Sequence, residues 1–182
     1  MINQIGAFVD AGCDVREDAN VIANVIKGFL FVRTHEVLVG IPQEQNAAHG
    51  KVTNAELLFI HSKGSPINNI PARPTIEPAL AEHETAEAIQ EQLINCIRSA
   101  LFGNVEAAER SMHAAGMIGA SAAQKKFGSG DLAPNAPITI HGGWMRNKVS
   151  GKLFYVPGKK SEAPLIDTGS LRSAITHVVR RT

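Results

Sequence analysis

Seven histidines and a row of glutamates are the residues of this 182-residue sequence with the types and spacing for chemistry. The histidines are His35, His49, His61, His83, His113, His141 and His177. None forms a His-x-x-x-His or His-Glu-x-x-His pair, the spacings that set two imidazoles on one helix face to hold zinc. A metal site would have to be assembled from distant elements, so neither a metal nor any other cofactor is expected. Glu84, Glu87 and Glu91 recur at steps of three and four, which places them along one helix face. A catalytic pair needs burial to drive two carboxyl pKa values apart, and a polar helix face offers none. That row reads as a solvated face or a charged contact surface. Gly158-Lys159-Lys160-Ser161 lacks the upstream glycine of a phosphate-binding loop, and no Gly-x-Ser-x-Gly elbow is present. The chain is therefore not read as an enzyme. The catalytic alternative is a small hydrolase built from dispersed residues such as His61 and His113.

A second cluster suits contact better than catalysis. Trp144, Arg146, Lys148, Phe154 and Tyr155 flank Ser150-Gly151, which has the form of a β-hairpin arm. The arm carries the only Trp and the only Tyr of the chain, with Lys152, Lys159 and Lys160 nearby. Aromatic and basic side chains together make a docking element for an acidic neighbour or for DNA phosphates. The whole-chain net charge is only +1, which argues against general nucleic-acid binding.

The length suits one domain, 1–182, with a loop at 42–52 and an extended arm at about 128–163. Apolar residues make up 44% and aromatics 5%. Such a core relies on Leu, Ile, Val and Ala and favours close helix packing over deep pockets. Cys13 and Cys96 show no Cys-x-x-Cys spacing and read as reduced, buried thiols. No run of about 18 apolar residues is present, so no membrane span is expected, and Met1 to Asp10 lacks the form of a secretory signal.

The elements that must position these residues are legible in part. Asp14 and Glu17 form a capping-box pattern opening a helix to about Lys27-Gly28, with Val15, Ala19, Ile22, Ile26 and Phe29 on one face. Period-two alternation predicts a strand at 32–40, ended by Pro42. Thr53 and Glu56 form a second capping box for a helix at 54–63, closed by Gly64. Three prolines between Ser65 and Pro74 enforce a stiff, extended crossing. Helices are predicted at 76–102, with Ile89, Leu93, Ile97 and Leu101 as its stripe, and at 104–127, with Ala108, Met112, Ala115 and Gly119. Gly103-Asn104 stops one and caps the next, so the two form a helical hairpin. Ile138-Thr139-Ile140 reads as extended. The fold class is α+β: a small antiparallel sheet of about four strands packed against several helices, in which a last strand at 171–180 pairs with 32–40.

The order of these features resembles a known family. Thr53-Asn54-Ala55-Glu56 is followed by Ile60-His61 and Gly64. Ile70-Pro71-Ala72-Arg73-Pro74 then leads into Ile76-Glu77-Pro78-Ala79-Leu80. After the helical pair come Ala133-Pro134-Asn135, Thr139-Ile140 and Pro164-Leu165-Ile166-Asp167-Thr168-Gly169-Ser170-Leu171-Arg172. Over residues 50–182 this succession resembles the neck and tail-completion proteins of tailed bacteriophages. The resemblance implies a non-enzymatic virion protein, assembled in the host cytoplasm as a ring at the head-to-tail junction. Its partners would be further copies of itself, the head connector and tail proteins, and genome DNA in transit. Sixfold symmetry is the first expectation and twelvefold the second. A tail terminator capping the tube is the near alternative, and a DNA-binding module using the hairpin at 144–160 is the distant one. Two departures stand out: Ser62-Lys63 where an acidic residue is usual, and a longer segment between Ile140 and Pro164. Arg73, Glu84, Glu87 and Glu91 join the arm as interface candidates.

Asp167, Thr168 and Gly169 form a corner that sets the direction of the last strand. Asp and Thr side chains bond local backbone there, and Gly supplies a positive φ. Gly169→Val is expected to misdirect that strand and lower the melting temperature. Unchanged melting and assembly would show the corner to be dispensable.

Overall fold

A computed structural model of the chain describes residues 15–49, 52–147, 150–159, 162–165 and 169–182. Asp14, Lys148, Asp167 and Thr168 therefore lie outside the described residues. The class is α+β. In chain order the elements are α1 (Val15–Thr34), β1 (His35–Gly40), β2 (Ala48–His49), β3 (Val52–Thr53), α2 (Asn54–Lys63), α3 (Ile76–Ala81), α4 (His83–Leu101) and α5 (Val105–Lys126). They continue with α6 (Pro137–His141), β4 (Gly143–Arg146), β5 (Leu153–Val156), α7 (Ser170–Ala174) and β6 (Thr176–Arg181). The described strands form three antiparallel pairs, β1–β6, β2–β3 and β4–β5, rather than one sheet of four. The expected pairing of first and last strands holds, with Val37 opposite Val179 and Glu36 opposite Arg180. Arg180 Nε donates to Glu36 Oε1 at 2.7 Å across that pair.

α5 lies at the centre of the packing, against α4, α3, β1 and β6. Its buried face is small: Ala108, Ala115, Gly116, Gly119, Ala120 and Ala123, with Met112 as the one large residue. Around it sit two apolar clusters, one holding Phe31, Cys96, Ala100 and Met112 and the other Phe127, Leu171 and Ile175. Burial raises the Cys96 thiol pKa, as an apolar setting does. Gln124 Nε2 donates to the Ile175 carbonyl at 2.8 Å and ties α5 to the entry of β6.

Several local predictions hold because their chemistry is local. Thr53 N donates to Glu56 Oε2 at 2.8 Å and Glu56 N to Thr53 Oγ1 at 3.4 Å, completing the capping box of α2. The bond from the Thr53 backbone N–H is the main reason that the Glu56 carboxyl lies below its usual range. Asn104 Oδ1 accepts from Ala107 N at 3.0 Å and caps α5. Gly169 has φ 79°, the left-handed value expected of the corner.

Other predictions give way to tertiary contacts. α1 continues past Gly28 to Thr34, so 29–34 is helix and the strand begins at His35. Gly28 does not end the helix, because it marks a crossing: a Cβ there would lie 1.9 Å from the Ala100 carbonyl oxygen. The helix stops where side chains take its last carbonyls. Thr34 Oγ1 donates to Leu30 O at 2.7 Å, and His35 Nδ1 lies 2.9 Å from Phe31 O. The helix expected at 76–102 breaks at Glu82, whose backbone is extended. Residues 137–141 form a short helix rather than an extended piece, with Pro137 at its first turn. The last strand starts at Thr176, after the short helix α7.

Gly28→Ala should push α1 off α4. The expected cost is roughly 1–3 kcal/mol, the range for overpacking a tight contact, read as a lower midpoint in urea unfolding. An unchanged midpoint would mean that the crossing is loose.

Candidate functional site

The β4–β5 hairpin forms as expected, with Trp144 opposite Tyr155 and Met145 opposite Phe154. Its base is a backbone crossing. A Cβ on Gly142 would lie 2.7 Å from Gly158 N, and one on Gly158 would lie 2.5 Å from Gly142 N. Only two glycines allow that approach, and Gly142 also holds φ 78°. Lys159 N donates to Thr139 O at 3.0 Å just beyond it. At the far end Asn147 N donates to Lys152 O at 2.8 Å, and Asn147 Oδ1 accepts from Ser150 N at 2.9 Å.

Both faces of the arm are wet. Trp144 is 69% exposed, and Met145, Leu153, Phe154 and Tyr155 are all exposed. Trp144 and Tyr155 meet edge to face with centroids 5.6 Å apart, so each ring holds the other in place. Arg146 and Lys152 are exposed beside them.

α1 carries a second apolar surface. Ile22, Ile26 and Phe29, expected on one helix face, are exposed, as are Val21, Val25 and Leu30. Among the described α1 side chains, Gly28 and Phe31 are buried and Val32 packs on the same cluster as Phe31. α1 is apolar on both sides, a pattern found in helices that are covered all round. α4 behaves in the same way. Cys96 and Ala100 are buried, while Leu93, Ile94, Ile97 and Leu101 are exposed, with Phe102 after them at 84%. Toward its other end α4 presents Glu84, Glu87 and Glu91, all exposed. One helix thus offers an acidic row and an apolar row on its outer surface. Isolated exposed apolar residues are ordinary, but contiguous ones mark contact sites.

The remaining candidates separate. Arg73, expected at an interface, is buried at 7% exposure. Its Nε donates to Ala133 O and its Nη2 to Pro134 O, both at 2.7 Å. His113 lies on α5 with its Nδ1 3.1 Å from Nε2 of His177 on β6. His61 lies elsewhere, facing Arg73 and Lys159, so the two histidines of the hydrolase alternative share no site. Among the described residues no group of three His, Cys, Asp or Glu is placed to hold a metal ion. None of the described helices is long and apolar enough to cross a membrane.

Comparison with family models, curated proteins and solved structures finds no match.

Burial, then the positive charges of Arg73 and Lys159, hold the His61 imidazole below its usual range. The unfolded chain then binds the proton more readily than the folded one. Stability from this group is complete above the unfolded value of about 6.5 and is lost as pH falls from there through the folded value. His61→Gln should therefore flatten part of the fall in melting temperature between about pH 7 and pH 5. An identical slope in the variant would show that His61 titrates as it does in water.

Proposed function

We propose that this protein is a structural subunit of a ring in the neck of a tailed bacteriophage, joining the head connector to the tail and leaving a channel for DNA. The observation that carries the reading is the exposure of large apolar side chains on the β4–β5 arm and on the outer sides of α1 and α4. Two different sticky surfaces on one chain suit heterologous contact, in which one patch meets another on the next copy and the rotation closes a ring. Their chemistry is complementary. The arm carries aromatics with Arg146 and Lys152, and α4 carries an apolar row with Glu84, Glu87 and Glu91. The order of motifs between Thr53 and Arg172 supports the neck family in particular. A hexamer is the first expectation for the ring and a dodecamer the second. Capping of the tail tube as a terminator would use the same two surfaces.

The arm of one copy is assigned to the α4 surface of the next. Trp144→Ala with Phe154→Ala should remove the arm contact, and Ile94→Asp with Ile97→Asp the receiving one. Each double variant should lose rings in mass photometry and negative-stain images while keeping its helical circular dichroism. An equal mixture of the two variants keeps one good contact, between the intact arm of one and the intact α4 of the other. It should yield dimers and no rings. Rings from either variant alone would refute the assignment. Strong, salt-steep DNA binding by the wild type that Arg146→Ala and Lys152→Ala abolish would favour the DNA-binding reading instead.

A further inference from the structure

A cavity of about 730 Å³ opens between α2, the proline-rich crossing, α6 and the described residues Leu165, Gly169 and Leu171, with Met145 of the arm at its edge. Arg73, His61 and Lys159 reach it from three different segments, and Leu57, Ile138 and Leu171 supply apolar walls. Arg73 brings a full charge into a setting where only 7% of the residue is exposed. Its guanidinium has five N–H donors, and the bonds to Ala133 and Pro134 engage Nε and Nη2 with neutral carbonyls. No ion pair of the described residues includes Arg73. His61 Nδ1 is buried and has no hydrogen-bond partner. The backbone bond from Arg73 N to His61 O, at 2.7 Å, fixes the two residues beside each other. Lys159 Nζ donates to Ala163 O, four residues on, at 2.8 Å.

A buried cation without a counter-charge is costly, and a buried ring nitrogen without a partner adds to the cost. We propose that the cavity is a carboxylate site, in which Arg73 and His61 hold the head group and the apolar walls take its stem. Guanidinium and carboxylate match as planar forks. One negative charge suffices for Arg73, and the walls suit a group carried on carbon rather than a free phosphate. The carboxylate is that of an acidic side chain or terminus brought by a neighbouring molecule.

Thermal melts of the full chain at pH 7.5, in sodium propionate and in sodium chloride at equal ionic strength, test the site. At about ten times its Kd, propionate should raise the melting temperature by roughly 3–6 °C over chloride. The Arg73 side-chain and His61 ring nitrogen resonances must move with propionate and not with chloride, a readout that needs no change at Arg73. Arg73→Gln should abolish the response. If the wild type does not distinguish propionate from chloride, or if the resonances stay still, the cavity is not a carboxylate site.

Discussion

Everything in this fold is arranged around the smallness of one helix face. α5 presents alanine and glycine to all its neighbours, so those neighbours come up to its backbone. A Cβ on Gly116 would lie 2.4 Å from the His177 ring, and one on Gly119 would lie 2.9 Å from Leu80. The strand β6 and the helix α3 therefore occupy the space where side chains would otherwise stand. Close packing of this kind gains dispersion energy from many short contacts. It buries little apolar area per residue. At about 25 cal/mol per Å², the hydrophobic return from an alanine is far below that from a leucine or phenylalanine.

The consequence appears on the outside. Among the described residues, the buried apolar set is half alanine, whereas Ile22, Ile26, Phe29, Phe102, Trp144 and Phe154 face solvent. Small residues inside and large ones outside reverse the usual sorting of a chain that works alone. Fully burying one Leu, Ile or Phe is worth about 1.5–3 kcal/mol. In the proposed ring, association would take these side chains out of water. α1 carries two apolar faces: its Gly28–Phe31 side meets α4, and Ile22, Ile26 and Phe29 on its other side are exposed.

How much of this was legible depended on the range of the interaction. Thr53–Glu56, Asn104 and Gly169 act within three or four residues, and their roles follow from side-chain chemistry alone. The β1–β6 pair and the β4–β5 hairpin also follow from alternation and turn residues. The end of α1 does not, since Gly28 reads as a stop until Ala100 is known to lie against it. Nor does periodicity reveal which of two apolar faces turns inward; Ile22 and Phe31 are equally good core residues by type. Arg73 carried a similar ambiguity. A basic residue between prolines suggests a surface, and only the carbonyls of Ala133 and Pro134, some sixty positions away, draw it inside.

A free hairpin on a flexible stalk would lose much conformational freedom on docking, and that loss weakens association. Here the stalk is closed before docking. Gly142 and Gly158 bring the two strands into backbone contact, Lys159 is held to Thr139, and Asn135 Nδ2 donates to the carbonyls of Glu162 and Ala163 at 3.1 Å. The direction of Trp144 and Tyr155 is then set within the chain. The proposed ring needs that property, because each contact must repeat the same rotation for the last subunit to meet the first. In such a ring the glycine crossing at the base of the arm would be as much a requirement of the interface as the aromatic rings at its face.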